Sequence, residues 1–189
     1  MKLRFGVFNK ASVTIPRYLY DEGIKQIIPP IPTLNRALWM EAENFTLHAY
    51  PFIEGQHGYH TKLTGSQWRE FGQTIKQIHS IHLNTFIRMM VPKEETSTDF
   101  GKSLRKFLVN INSFTREDNL CQETVELLVE KKTVLLDLTQ RSDTLAQVFQ
   151  KNSHDLVLCH GDMHAWNLLI GHNGELYLVD WDTLVLAPK

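Results

Sequence analysis

The chain has 189 residues, 42% of them hydrophobic and 22% charged, enough apolar material for a packed core and too much for a disordered segment. Its formal charge of −1 gives no general attraction to nucleic acid or to anionic membrane. Cys121 and Cys159 are the only cysteines and form no CxxC pair, which excludes a disulfide framework and fits a reducing compartment. No signal-peptide core and no apolar run of about 18 residues is present, so a cytoplasmic protein is expected, with no nucleic-acid or membrane partner.

In chain order, Lys2 to Phe8 is expected to hold a short strand. Ala11 to Asp21 reads as a helix, blemished by Pro16 and stopped at Gly23. The prolines at 29, 30 and 32 force an extended connection. Ala37 to Met40 and Phe45 to Pro51 then read as two strands around an acidic turn, Glu41 to Asn44. Gln56 to Leu63 reads as loop. A helix capped by Thr64 or Ser66 follows, with Trp68, Phe71, Ile75, Ile78 and Ile81 on its apolar face. Val91 to Ser97 reads as loop, and Asp99 to Phe114 as a helix, apolar at Leu104, Phe107, Leu108 and Ile111. A third helix capped by Asp118 would bury Val125, Leu128, Val129, Leu135 and Leu136. A fourth runs from about Ser142 to Asn152. Three short apolar runs close the chain, at Leu156 to Cys159, Leu168 to Ile170 and Leu176 to Val179, the last two joined by a turn at Gly171 to Gly174. Strands, then helices, then short strands make an α+β pattern, with a boundary near Pro51 to Gly55.

The chemistry is concentrated in His160-x-Asp162-x4-Asn167, with Asp180 thirteen residues later. Kinase-type phosphoryl transfer needs one carboxylate beside the acceptor hydroxyl. It also needs an amide oxygen and a second carboxylate to hold Mg²⁺ against the phosphates. A loop between two strands would place Asp162 and Asn167 at one end of a sheet, and the turn at Gly171 would bring Asp180 back beside them. Asp and Asn are also ordinary turn residues. His160 and His164 with Cys159 and Asp162 could form a metal site instead, although no second ligand cluster accompanies them. Trp166 and Trp181 read as packing residues, and Cys159 as a small buried side chain.

These segments resemble the aminoglycoside phosphotransferase family, whose members share the bilobal protein-kinase fold. The likeness lies in the HGDxxxxN stretch, His160 to Asn167, and in the Asp180-Trp181-Asp182 triplet. It extends to Tyr50 to Gly55, similar to the hinge between lobes, and to the helix ending in Ile78-His79. Ile28 to Thr33 with Leu38-Trp39 are similar to the spectinomycin-phosphotransferase-like branch. The resemblance implies a partial N-terminal β lobe over residues 1–52 and a partial, mainly helical C-terminal lobe over 53–189. It implies Asp162 as catalytic base, Asn167 and Asp180 as Mg²⁺ ligands, His160 as a brace, and Asp182 as an acidic neighbour. It also implies ATP as cofactor, bound through the backbone of Tyr50 to Ile53, Phe52 included, with Lys2 as the phosphate lysine; Lys2 reads equally well as an ordinary solvent-exposed lysine. The partner would be a small-molecule substrate with a hydroxyl acceptor, an aminoglycoside or aminocyclitol such as spectinomycin, and the activity an antibiotic-resistance kinase. Choline, homoserine or methylthioribose are alternative acceptors, and a non-catalytic remnant is the alternative from another class. The resemblance further implies truncation at both ends: no glycine-rich hairpin precedes Lys2, no glutamate in Ala11 to Asp21 pairs with it, and Lys189 follows Asp182 closely. From this follow three expectations: Lys2 frays at the terminus, the incomplete sheet self-associates at its open edge, and these residues alone turn over substrate negligibly.

Overall fold

The computed structural model describes residues 1–94, 99–111, 119–151 and 155–189. They form two compact units, one of Met1–Glu94 with Asp155–Lys189 and one of Glu95–His154.

The first unit begins with strand β1 (Lys2–Phe5) and helix α1 (Ala11–Asp21). Asn9 opens the helix, its Oδ1 accepting the Ala11 N–H at 3.0 Å. The helix runs through Pro16 without a break and ends where Gly23 takes a left-handed φ of 97°. Its buried face, with Ile15 and Leu19 fully inside, anchors the main core. Strands β2 (Met40–Ala42) and β3 (Phe45–His48) form the expected hairpin, but β2 starts where the expected strand ended. The turn closes on Glu43 alone in a left-handed conformation, so Glu41 and Ala42 stay in the ladder. The sheet order is β1-β3-β2, all antiparallel, with Lys2 opposite His48 and Phe5 opposite Phe45. Lys2 is therefore held in a ladder rather than frayed.

Strand β4 (Gly55–His57) occupies part of the expected loop. Its three residues, a glycine and two polar side chains, give it no hydrophobic signature; it exists because β6 supplies a partner. Helix α2 (Gly65–Ser80) starts in a reciprocal capping box. The Gln67 N–H donates to Thr64 Oγ1 at 3.2 Å, and the Thr64 N–H donates to Gln67 Oε1 at 2.8 Å. Thr74 and Ile78 are its buried residues, while Trp68 lies exposed, edge-on to Phe71, rather than in the core. A short helix α3 (Thr85–Met90), capped by Asn84, adds Ile87 to the core.

The second unit contains α4 (Asp99–Val109), α5 (Asn119–Glu130) and α6 (Lys132–Lys151). Its core is Leu108, Ile111 and Val125, with Leu104, Phe107, Leu128, Leu135 and Leu136 packed around them. The expected third and fourth helices divide differently: α5 ends at Glu130, and Leu135 and Leu136 belong to the continuous α6. Val129 is exposed, not buried, because Val125 and Leu128 already define the inward side of α5. The expected tail of α4 to Phe114, the cap Asp118, the loop end Ser97 and the helix end Asn152 lie outside the described residues.

The first unit resumes with β5 (Leu156–Cys159), β6 (Leu168–Gly171), β7 (Leu176–Leu178) and β8 (Val185–Pro188). Strand β5 pairs with β8, whereas β6 pairs with β4 and β7. The segment from His160 to Asn167 thus joins two small sheets rather than two strands of one. Leu158, Leu168, Leu176, Leu178, Leu184 and Leu186 meet α1 and α2 residues in one core, fixing both ends of that segment. No helix among the described residues is long and apolar enough to cross a membrane.

Candidate active site

The HGD turn is set by sterics. Gly161 has φ of 84°, and a Cβ there would lie 2.0 Å from the Thr183 carbonyl oxygen. Only glycine fits, and the backbone crossing it permits ties the loop to the segment after Asp180. Thr183 Oγ1 adds a bond to the His160 carbonyl at 3.2 Å. His160 is buried, packs against Trp181 at 4.6 Å between centroids, and donates from Nε2 to the Val179 carbonyl at 2.9 Å. Burial holds its pKa below the ordinary histidine value, which keeps the ring neutral, and its Nδ1 is buried without a partner. His160 thus ties the loop to the strand that ends beside Asp180, as a brace would.

Asp162 is exposed at the loop's tip, with its carboxylate 3.4 Å from His164 Nε2. Its backbone carbonyl accepts from Asn167 Nδ2 at 2.8 Å. That bond fixes the buried Asn167 amide and assigns its nitrogen, so Oδ1 remains as a hard oxygen donor. The Val179 N–H donates to the Asn167 carbonyl at 3.0 Å, which sets Asp180 one residue beyond this junction. Asp180 itself has φ 64° and ψ 70°, a left-handed conformation that costs free energy in a non-glycine residue. Such an outlier persists because the flanking Trp181 and Leu178 are locked into the core, Trp181 Nε1 donating to the Leu178 carbonyl at 3.2 Å.

Lys2 reaches across from β1. Its Nζ lies 2.7 Å from Asp180 Oδ1 and 2.6 Å from Asp182 Oδ2, and Arg4, on the same face of β1, also pairs with Asp182. Among the described residues no three His, Cys, Asp or Glu side chains gather as a metal-binding group. The donor set at hand is instead a carboxylate and an amide oxygen, hard ligands that suit Mg²⁺ with water completing its shell. Sequence reasoning noticed Asp182 but not its two cations; the alternation of β1, which puts Lys2 and Arg4 on one side, was the available signal.

A cleft of about 540 Å³ opens between Lys2 and Asp180 on one side and Tyr50 to Gly55 on the other, with Ile28, Leu169 and Leu178 as apolar floor. Among the described residues, the backbone groups of Tyr50 to Ile53 are not used in the chain's own backbone hydrogen bonds. Phe52 and Ile53 line the cleft, the former 91% exposed. The Tyr50 hydroxyl is pushed up to about 12 by burial, with Asp180 adding to the effect, so it stays protonated as a donor. Gly55 admits the β6 backbone: a Cβ there would meet Ile170 O at 2.2 Å. The structure therefore brings Lys2, Tyr50, Phe52, Ile53 and Asp180 to one cleft, with Asn167 joined to its edge and Asp162 on the adjoining loop. Cys159 is half-buried rather than buried, its Sγ 3.8 Å from His79 Nε2. Trp181 is buried in the core; Trp166 packs against the Tyr59 ring but is 45% exposed.

Comparison with known proteins agrees with this geometry. No curated protein matches the chain. A spectinomycin phosphotransferase structure in complex with ADP and spectinomycin is 33% identical, with a TM-score of 0.85 over 98% of this chain and 56% of that one. An AMP-bound spectinomycin phosphotransferase structure gives the same identity and score over 99% of this chain and 59% of that one. The chain thus spans little more than half the length of these relatives. An aminoglycoside phosphotransferase from Alicyclobacillus acidocaldarius, at 14% identity and a TM-score of 0.56, shares the fold. The profile of the phosphotransferase enzyme family matches residues 11–188, and with its kinase-like fold the chain belongs to that family.

Proposed function

We propose that this site transfers the γ-phosphoryl group of ATP to a hydroxyl of a small molecule, and that the acceptor is an aminocyclitol of the spectinomycin type. The observation that carries the reading is the junction of Asn167, Asp180 and Lys2 at the end of a cleft whose other wall is the free backbone of Tyr50 to Ile53. In this reading residues 1–52 act as the nucleotide-facing lobe and the rest as the lobe carrying the catalytic loop.

Tyr50 to Ile53 bind the adenine edge through backbone groups, and Lys2 Nζ binds phosphate oxygens. Asn167 Oδ1 and Asp180 hold Mg²⁺, which when bound supplies charge neutralisation on the phosphates. Asp162 orients the acceptor hydroxyl and takes its proton as the oxygen attacks phosphorus and ADP leaves. Its exposure suits this role, since an acceptor must reach it from solvent. Spectinomycin as acceptor is supported by the 33% identity to a protein solved with that compound. Inactivation of such an antibiotic in the cytoplasm would be the consequence.

The test is twofold. Calorimetry of ADP and ATP binding, with and without Mg²⁺, should show a metal-dependent affinity that Asp180→Ala removes. A single-turnover radiolabel assay, sensitive enough for the trace transfer expected of a chain spanning about half of its relatives, should show phosphate on spectinomycin that Asp162→Asn abolishes. Preferential transfer to choline or homoserine would overturn the acceptor, and nucleotide binding indifferent to Mg²⁺ and to Asp180→Ala would overturn the metal site.

A further inference from the structure

The catalytic loop carries a feature that phosphoryl transfer as derived above does not use. Trp166, immediately before Asn167, is 45% exposed and stacks on Tyr59, itself 65% exposed, with centroids 4.8 Å apart and planes 13° from parallel. His60 meets the indole edge-on at 4.9 Å, and His57 lies against it at 5.6 Å. Hydrophobic burial does not explain this arrangement, since Trp181 nearby shows what burial does to an indole, leaving it only 5% exposed.

The stack is nevertheless fixed. His57 Nδ1 donates to the Trp166 carbonyl at 2.8 Å, and the Gly58 N–H donates to the Leu168 carbonyl at 2.8 Å. A Cβ at Gly58 would lie 3.1 Å from the Ala165 carbonyl oxygen and 3.2 Å from Leu168 Cβ, so this close approach favours glycine. The Trp166 N–H donates to His164 Nδ1 at 3.2 Å, and the same imidazole faces the Asp162 carboxylate through Nε2. Trp166 and the Asp162 carboxylate therefore ride on one short loop and are linked through the His164 ring, with Tyr59 stacked on the indole from the neighbouring segment.

A rigid, solvent-facing π surface beside a carboxylate is chemistry suited to an organic cation. The quadrupole of indole and phenol attracts an ammonium group within about 6 Å of a ring centroid, and flat aromatic walls hold the apolar face of a saturated ring. We propose that Trp166 and Tyr59, flanked by His60, form a docking subsite for the amine-bearing, non-reacting part of a cyclic alcohol acceptor. The subsite positions that ring so that one hydroxyl falls to Asp162. This rests on the reading of the chain as an acceptor kinase, and it adds which side chains select a cationic acceptor over a neutral polyol.

The experiment measures binding by calorimetry to the 189-residue chain for three probes: spectinomycin as a dicationic aminocyclitol, myo-inositol as a neutral cyclitol, and Mg-ADP. The variants are Trp166→Leu, Tyr59→Leu and Trp166→Phe, with Trp68→Leu as an exposed-tryptophan control. Expected are spectinomycin binding weakened at least tenfold by Trp166→Leu and Tyr59→Leu, smaller loss in Trp166→Phe, none in Trp68→Leu, no inositol binding, and Mg-ADP affinity within twofold throughout. Spectinomycin bound equally by wild type and both leucine variants overturns the subsite and leaves the acceptor reading standing. Mg-ADP bound without any spectinomycin binding by wild type overturns the acceptor reading and the subsite with it. Loss of Mg-ADP affinity in the leucine variants assigns the stack to the nucleotide and overturns the proposal. Should Trp166→Leu unfold, the more exposed Tyr59→Leu decides the same question.

Discussion

Lys2 Nζ lies 2.7 Å from Asp180 Oδ1, so the cation expected to meet phosphate and the carboxylate expected to meet metal neutralise each other. Both side chains are partly exposed, and the pair is easily exchanged for a metal and phosphate oxygens. Lys2→Ala should therefore weaken Mg-ATP binding about tenfold, the loss of one charge-assisted bond of roughly 1.5 kcal/mol. Affinity for Mg²⁺ without nucleotide should rise, because Asp180 loses its competitor. Titration of the variant with each ligand checks both signs; a fall in both affinities would mean that Lys2 only props up β1.

The two aspartates should separate cleanly. In a version of the protein completed to the length of its relatives, Asp162→Ala should leave Mg-nucleotide affinity within about twofold while lowering phosphoryl transfer by roughly 10²–10⁴. Asp180→Ala should cost nucleotide affinity itself at saturating Mg²⁺. Equal, small effects from both in calorimetry and single-turnover assays would place the site elsewhere.

Much of this site could be read in the sequence because its chemistry is local. Asp162 and Asn167 share one loop, and the turn at Gly171 to Gly174 returns the chain to Asp180 within thirteen residues. What escaped was long-range. Strand β4 has no apolar pattern and exists through its ladder with β6, and β8 is paired only because β5 lies opposite. The partnership of Lys2 with Asp182 spans 180 positions, which no spacing rule reaches. Trp166 reads as core from its type alone; its exposure follows from Tyr59 and Gly58, a segment whose polarity signalled only loop.

Stability should fall on mild acidification. His48 and His160 are buried, and burial lowers both pKa values below the ordinary 6.5, for His48 with help from the charges of Lys2 and Arg4. A histidine held neutral in the fold and free to protonate when unfolded contributes stability that is complete above about pH 6.5. That contribution is lost as pH falls from there toward the depressed folded values. Denaturant midpoints measured between pH 7.5 and 5 should drop over this window. His48→Asn or His48→Gln should flatten the drop, since no imidazole remains to titrate between Lys2 and Tyr50.

The last prediction concerns the small sheet. In β1 the inward residues Lys2 and Arg4 face the carboxylates, so Leu3 and Phe5 face out, 41% and 73% exposed. Phe5 sits opposite Phe45, and Leu3 and Met40 both sit opposite Leu47, which makes the outer surface of the sheet apolar. Among the described residues, β1 has a strand partner on one side only. An edge strand with free backbone donors and acceptors and an apolar face invites pairing with another chain. A second copy can present the same edge by two-fold symmetry, so self-association of the chain at micromolar concentration is expected. Sedimentation across a concentration series should show it, and Phe5→Lys, which puts a charge on the outward side, should shift the distribution towards monomer without moving the Lys2 and Asp180 pair. A wild-type chain that stays monomeric at all concentrations, and melts cooperatively and reversibly, would show that this edge is adequately protected by its own charges.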